Sequence, residues 1–250
     1  MSQPEIARSS TLEPMREPAS SGIEAIEYTV RRSSRARRTR LTVTPSGVVE
    51  LVLPQRVSLR EGERFALQNR EWIKRQVCRR EARCAALTGS AGTLPYLGQQ
   101  LTLRSEPART RVQRSGSLLL VPASGIEPLA DPQVRAVIER WYRRMAKAEI
   151  RPRLDEACEE LGVSYTGLSI RGQRTRWGSC SSKGMMSFNW RLLLAPVAVL
   201  DYVVWHEVCH LRIMDHSPRF WSLVQTSCPG YRVPSQWLRE YGMVINGYLA

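Results

Sequence analysis

The three histidines of this 250-residue chain, His206, His210 and His216, all lie within one stretch of eleven residues. The first two are four residues apart, and Glu207 directly follows the first, which gives the pattern HExxH. On a helix, residues i and i+4 share one face, so both imidazoles can reach the same ion. Glu207 points to a neighbouring sector, from which it can approach a metal-bound water without binding the metal. Zinc suits this set, because imidazoles bind it, one position stays open for water, and a carboxylate can take the proton of that water.

HExxH alone is a short pattern that arises by chance, and two histidines on a helix face paired with a carboxylate would also produce it. Three features favour a metal site. The preceding run Val199–Trp205 is mostly apolar, as expected for a buried helix that enters a site. A third histidine completes a set of three protein ligands, and the rest of the chain has no histidine. We therefore predict a zinc site here.

The third ligand follows less directly from the spacing. His216 lies ten residues beyond His206, the offset of the extended metzincin motif, but that motif needs glycine where this chain has Ile213. We expect the metal helix to continue through Ile213 and to end near Met214–Asp215.

Ser217–Pro218 is typical of a new helix start, with serine as N-cap and proline in the first turn. His216 would lie at the junction of the two helices and turn back toward the metal. We prefer His216 as the third ligand, and Glu240 is the alternative because it is the only carboxylate residue downstream.

A series of motifs surrounds the histidines. In chain order they are Ile170–Cys180 (IRGQRTRWGSC), Phe188–Leu192 (FNWRL), Leu194–Pro196 (LAP), Leu200–Glu207 (LDYVVWHE), His210–Leu211, and His216–Ser217 with Phe220–Trp221. This order resembles the YgjP-like metallopeptidase family, which is related to SprT-like zinc proteases. The resemblance is strong over about the last third of the chain, and extends more weakly to Trp72–Ile73 and Tyr96–Gly98.

The resemblance implies a zinc-dependent metallopeptidase, a hydrolase of the HExxH type. His206, His210 and His216 would hold Zn²⁺, and Glu207 would be the catalytic base. Two positions depart from the family pattern: Asp215 stands where asparagine is usual, and Cys209 where a small residue is usual. Asp215 would either cap the helix or perturb the site.

The expected chemistry is hydrolysis of a peptide bond. Zinc lowers the pKa of a bound water toward about 7, and Glu207 accepts the proton and passes it to the leaving amine. In zinc proteases, a strand beside the metal helix often pairs with the extended substrate. We expect the strand Ser187–Arg191, or its neighbour, to do this, with Arg176 and Asn189 binding the substrate. A structural salt bridge that fixes the turn at Trp177 explains Arg176 equally well.

The chain carries a net charge of +14, part of it in the segment Arg31–Arg40. A basic stripe of this kind can bind a phosphate backbone without sequence preference. The same arginines could be the solvated face of a hairpin, and aromatic residues for base stacking are absent from the segment. Two alternatives to a general peptidase therefore stay open: a nucleic-acid-associated, SprT-like protease that acts on DNA-bound proteins, and a non-catalytic basic zinc-binding module.

The location of the protein is predicted from what the sequence lacks. No apolar run approaches the roughly 20 residues of a membrane span, and the N-terminus has no secretory signal pattern. Six cysteines without a CxxC pair fit separate thiols in a reducing compartment, and Cys180 fits a small buried residue better than a site residue. We expect a cytoplasmic protein that acts on peptides or proteins, without a membrane partner. The oligomeric state does not follow from these features.

The predicted fold class is α+β. Residues 1–22 read as a disordered tail, residues 23–125 as an antiparallel, β-rich region with a long helix, and residues 126–250 as a zincin-like, helical metallopeptidase domain with a small β-sheet. In the β-rich region, Ser58 and Glu61 form a capping-box pattern, which predicts a helix from there to about Leu87.

Overall fold

The computed structural model describes residues 28–44, 47–88, 92–125, 127–173 and 175–249. The predicted disordered tail, residues 1–22, lies outside the described residues. Contacts within the chain divide it into two compact units, Met1–Ala82 and Arg83–Ala250. The predicted domain boundary after residue 125 falls inside the second unit and stays a prediction.

The described residues form helices and strands in an α+β arrangement, as predicted. The helices are α1 (Leu59–Gln68), α2 (Arg70–Thr88), α3 (Pro132–Leu161), α4 (Val197–Cys209), α5 (Pro218–Ser227) and α6 (Arg232–Asn246). Short 3-10 helices cover Pro128–Ala130 and Trp190–Leu194. The strands are β1 (Thr29–Ser33), β2 (Arg40–Val43), β3 (Val49–Pro54), β4 (Thr93–Tyr96), β5 (Gln99–Ser105), β6 (Gln113–Ser115), β7 (Leu118–Val121), β8 (Gly167–Arg171), β9 (Gly178–Cys180) and β10 (Met185–Asn189).

The sheets before residue 125 are mixed: they contain the predicted antiparallel pairs and, in addition, two parallel pairs among the described strands. In the first unit the strand order is β1-β3-β2, with β1 parallel and β2 antiparallel to β3. The apolar strand β3 is buried at five of its six positions and takes the centre, while β1 and β2, which carry arginines, take the edges. In the second unit the order is β4-β5-β7-β6, and β5 runs parallel to β7.

The capping box is confirmed, but the helix that it starts is interrupted. The Ser58 hydroxyl accepts a hydrogen bond from the Glu61 N–H, and the Glu61 carboxylate accepts one from the Ser58 N–H. α1 ends at Gln68, and the Asn69 side chain donates to the Phe65 carbonyl oxygen at 2.8 Å. This side chain satisfies an end-of-helix carbonyl group, and α2 begins at Arg70.

The second unit holds the large apolar core. The Tyr142 ring of α3 lies 5.5 Å from the Trp190 ring, and its hydroxyl donates to the Pro95 carbonyl at 2.6 Å. α4 packs against α3 on one side and against β9 on another. β9, in turn, lies at one edge of the sheet β8-β10-β9. The helix that carries HExxH is therefore fixed between a long core helix and a sheet edge.

Within the part of the chain that the structure describes, no helix is both long enough and apolar enough to cross a membrane.

Candidate metal centre

The three histidines meet at the end of α4. One nitrogen of each, from His206, His210 and His216, lies within 4.8 Å of the others, and no other His, Cys, Asp or Glu of the described residues joins this group. The Nε2 atoms of His206 and His216 are 3.1 Å apart. The alternative third ligand, Glu240, lies on α6, where its carboxylate accepts a hydrogen bond from Gln236 at 2.9 Å.

α4 ends earlier than predicted, and this shortening places His216. The helix stops at Cys209, with His210 as its C-cap, so the expectation that it continues through Ile213 is wrong. The N–H groups of Arg212 and Ile213 both donate to the Cys209 carbonyl oxygen, at 3.1 and 3.0 Å, which closes a tight final turn. The chain then reverses within a few residues and brings His216 back to the first two histidines.

α5 starts where the sequence predicts, with Ser217 before it and Pro218 in its first turn. The Asp215 carboxylate is exposed and accepts the Ser217 N–H at 2.9 Å. Hydrogen bonds from the Ser217 side chain and, next, from its backbone N–H lower the pKa of Asp215. Asp215, which stands where the family usually has asparagine, therefore stabilises the turn before α5.

The protonation states of the histidines suit metal binding. The ring nitrogen Nδ1 of His210 lies 3.0 Å from the Ile213 carbonyl oxygen, which can only accept, so Nδ1 carries the proton and Nε2 keeps its lone pair. Burial, and next the neighbouring imidazoles of His210 and His216, lower the pKa of His206 to about 3. Burial also lowers the pKa of His210. Both rings are thus neutral at pH 7.

The donor set fits a zinc ion. Bonds of 2.0–2.1 Å from zinc to nitrogen at tetrahedral angles put two ligand nitrogens about 3.3 Å apart, close to the 3.1 Å between His206 and His216. Three imidazoles with no fourth protein donor in the described group leave one coordination position open.

Glu207 lies beside this group and is only 6% exposed. Its carboxylate accepts a hydrogen bond from the Cys180 backbone N–H. Burial raises its pKa to about 7, against the opposing effects of the Cys180 N–H and the Arg176 charge. Gly178 gives the carboxyl group its space, because a Cβ at that position would lie 2.6 Å from Oε1 of Glu207.

The histidines and Glu207 share one cavity of about 500 Å³. Its lining comes from α4, from β9 with the residues before it, from the loop around His216, and from α6. The lining residues are Thr175, Arg176, Trp177, Gly178, Ser179, Cys180, Tyr202, Val203, His206, Glu207, His210, Met214, His216 and Leu238. Cys180, expected to be a small buried residue, therefore lies at the cavity.

The two residues predicted to bind substrate lie in different places. Arg176 is exposed on the cavity wall, and its charge acts on Glu207. Asn189 is 2% exposed, and its side chain forms hydrogen bonds within the protein. Its amide donates to the carbonyl oxygens of Gln173 and Arg176, at 2.6 and 3.3 Å, and accepts the Arg191 N–H at 3.1 Å. Asn189 thus holds the loop that carries Arg176.

The sheet edge at the cavity is β9 and not the strand that includes Ser187. β10 is central, parallel to β8 and antiparallel to β9. The Asn189 N–H donates to the Trp177 carbonyl, and the Ser181 N–H to the Met185 carbonyl. In an antiparallel ladder such bonds alternate, so Gly178 and Cys180 direct their backbone groups away from β10. The bond from Cys180 to Glu207 agrees with this direction.

Aromatic rings surround the histidines, and one of them, Tyr231, lies outside the motifs quoted above. Tyr231 stacks on Trp221 at 5.5 Å and on Tyr202 at 6.1 Å. Trp221 lies 5.8 Å from His216, and Tyr202 lies 5.8 Å from His206. These contacts form a continuous series of rings between His206 and His216. We call its three members, Tyr202, Tyr231 and Trp221, the aromatic circuit. One signal was present in the sequence, because Tyr202 lies four residues before His206 and so shares its helix face.

These features together define a metallopeptidase-type centre in an α+β protein. The chain matches the YgjP-like metallopeptidase domain over residues 37–241, and it belongs to this family. It is therefore a peptidase by family. Among solved structures, it is similar to the metallopeptidase zymogen abylysin of Pyrococcus abyssi, with 22% identity and a TM-score of 0.34. That similarity covers 37% of this chain and 95% of abylysin. No curated protein matches the chain.

Proposed function

We propose that the protein is a zinc-dependent peptidase in which His206, His210 and His216 hold the metal and Glu207 is the general base. The observation that carries this proposal is the position of Glu207, a buried carboxyl group that shares one cavity with three convergent imidazoles. A bound Zn²⁺ would polarise the substrate carbonyl and acidify the attacking water.

Glu207 moves the proton in this scheme. A base works best when its pKa is near the working pH, and burial brings the pKa of Glu207 to about 7. The Cys180 N–H donates to the carboxylate, which would orient the group for an attacking water. Glu207 accepts the proton of the attacking water and then passes it to the leaving amine.

The edge of β9 is proposed to pair with the substrate peptide. The N–H and C=O of Gly178 and the C=O of Cys180 face away from β10, so an extended peptide can pair with them beside Glu207. Arg176 is proposed to contact the substrate carbonyl from the cavity wall. Asn189, predicted to bind substrate, is proposed to act through the Arg176 loop that its amide holds.

A non-catalytic zinc module has less support. A structural zinc site closes its shell with four protein ligands, whereas three donors converge here among the described residues. A buried carboxyl group with a raised pKa beside the three histidines is also more typical of a catalytic site than of a structural one.

Association with nucleic acid is a second candidate, supported by the distribution of charge. Residues 28–82 contain 14 Arg and Lys residues against five Glu. Arg35, Arg37, Arg38 and Arg40 are exposed, and none of them forms an ion pair with another described residue. Arg31 by contrast pairs with Glu50 at 2.9 Å. An arginine-rich surface of this kind suits a phosphate backbone.

The proposed activity is tested with Glu207→Gln, which keeps the size of the side chain and removes the base. Zinc content should stay at the wild-type level, while hydrolysis of a quenched fluorescent peptide mixture should fall below detection. Glu240→Gln, the same change at the rejected ligand position on α6, is the matched control and should keep both. Hydrolysis by Glu207→Gln at the wild-type rate would remove Glu207 from the mechanism.

A further inference from the structure

Four of the residues that line the cavity are aromatic or aliphatic. They are Trp177, Tyr202, Val203 and Leu238, which come from three separate segments of the chain. We call these four residues the apolar recess. Tyr202, Val203 and Leu238 are buried, and Trp177 is half-buried. The cavity therefore contains both the proposed catalytic groups and an apolar surface that favours contact with hydrocarbon side chains.

The recess lies directly beside the proposed reacting groups. Tyr202 and Val203 are one helical turn before His206 and Glu207, respectively, so each pair shares a face of α4. The Tyr202 ring lies 5.8 Å from the His206 ring. The hydroxyl of Tyr202 is hydrogen-bonded to the Ser235 side chain, so the polar end of this residue is already engaged.

α6 sets the shape of the opposite wall. Leu238 and Gly242 are four residues apart and share a face of this helix. Gly242 lets the Trp177 indole approach closely, since a Cβ there would lie 3.0 Å from Cζ2 of the ring. The indole thus packs against α6, and a rotation of the Trp177 side chain would break this contact. Packing against α6 therefore positions the Trp177 wall of the recess.

We infer that the apolar recess binds the side chain of a substrate residue adjacent to the scissile bond, and that it selects bulky apolar residues such as Leu, Met or Phe. This inference rests on the proposed peptidase function. A peptide paired with β9 presents alternate side chains to one face. Trp177 directly precedes Gly178 of β9, and Val203 lies one helical turn before Glu207, so the recess adjoins both the proposed peptide edge and the proposed base. A charged side chain would lose its water there, because the four walls offer it no ionic partner.

The preference should be measurable in the wild-type protein. One methylene group in an apolar pocket changes kcat/KM by about 10-fold to 200-fold. We therefore expect peptides with Leu, Met or Phe at one flanking position to be cleaved at least about tenfold faster than those with Gly or Asp there. The measurement uses a peptide library with each flanking position randomised and cleavage products identified by mass spectrometry.

A charge placed in the recess should change the preference. Leu238→Glu should reduce cleavage of the apolar peptides by at least about tenfold and increase the relative cleavage of peptides with Lys or Arg at the same position. Val233→Glu adds the same charge on α6 at a side chain that is 76% exposed, so it should keep the wild-type profile. Circular dichroism and zinc content establish that each variant is folded.

The outcomes separate this inference from the function on which it rests. If the wild-type protein cleaves no peptide of the library, the peptidase proposal fails. If it cleaves peptides but shows no preference, or prefers charged residues at both flanking positions, the recess does not select apolar side chains. If Leu238→Glu folds and keeps the wild-type profile, the recess is not the selecting surface.

Discussion

The carboxyl group of Glu207 lies so close to Gly178 that a Cβ on this glycine would be 2.6 Å from Oε1 and 2.6 Å from Cγ. Because the Cys180 N–H, two residues further along β9, donates to the same carboxylate, the strand both makes room for the proposed base and orients it. The edge strand β9 and the HExxH helix α4 thus together determine the position of the Glu207 carboxylate.

Gly178→Ala is predicted to displace the Glu207 carboxylate and leave the histidines in place. A displacement of about 1 Å in a catalytic group costs on the order of 100-fold in rate, so kcat/KM should fall by about that factor while zinc content stays unchanged. Gly167→Ala in β8 of the same sheet is the matched control, because its Cβ would meet only the flexible end of the exposed Met185 side chain. Equal activity of the two variants would contradict the role assigned to Gly178.

The aromatic circuit is predicted to hold His216, which lies outside a helix. Partners that orient a metal ligand typically contribute 10-fold to 100-fold in metal affinity. Tyr231→Ala should therefore weaken zinc binding by about 10-fold to 100-fold, measured by competition with a chelator of known affinity, and Tyr231→Phe should restore it because the ring remains. Tyr241→Ala removes a ring stacked 4.8 Å from Trp237 on α6 and should leave the affinity unchanged. A loss of affinity as large in Tyr241→Ala would show that general destabilisation is responsible.

The raised pKa of Glu207 predicts a pH-dependent cost in stability for the metal-free protein. The folded state keeps this carboxyl protonated up to about pH 7, whereas the usual value is 4.5. The group therefore stabilises the fold fully below pH 4.5, and this contribution is lost as the pH rises to about 7. A shift of this size corresponds to about 3 kcal/mol. In urea unfolding with a chelator present, wild-type protein should become less stable relative to Glu207→Gln by about this amount between pH 4.5 and 7. A constant difference between the two proteins across this range would contradict the assignment.

His206 contributes to stability with the opposite sign. Its pKa is lowered to about 3 in the folded state, from 6.5, chiefly by burial. Its contribution is therefore present above pH 6.5 and is lost as the pH falls toward 3. In metal-free Glu207→Gln, where the opposing effect of Glu207 is removed, stability should fall steadily with acid from about pH 6.5. Stability that stays constant down to pH 4 would show that His206 titrates normally.

How much of the site could be predicted from sequence depends on the range of the interactions involved. The positions of His206 and Glu207 on one helix, with His210 at its C-cap, follow from local periodicity, and Ser58 and the start of α5 follow from local capping patterns. The order of the strands β8, β10 and β9 depends on contacts between distant segments, so the sequence could not decide which strand is the edge. The hydrogen bonds of the Asn189 side chain could not be predicted for the same reason: its carbonyl partners, Gln173 and Arg176, become its neighbours only through the loop fold.

Nucleic-acid association is predicted to depend on the exposed arginines of the first unit. The variant Arg35→Gln, Arg37→Gln, Arg38→Gln and Arg40→Gln should bind duplex DNA more weakly, with a slope of log K against log salt reduced by up to about 0.9 per lost phosphate contact. The control removes the same charge from exposed arginines of the second unit, namely Arg111, Arg140, Arg144 and Arg151. Equal weakening in both variants would indicate attraction by net charge alone, and an absence of DNA binding in the wild type would end this candidate.

Metal content tests the central claim most directly, namely that the three histidines form a zinc site. Purified wild-type protein and His206→Ala are compared by elemental analysis after incubation with zinc and removal of unbound ion. The account predicts about one zinc per chain in the wild type and loss of this zinc in the variant. Wild-type protein that retains no zinc would contradict the site, and so would His206→Ala protein that retains as much zinc as the wild type.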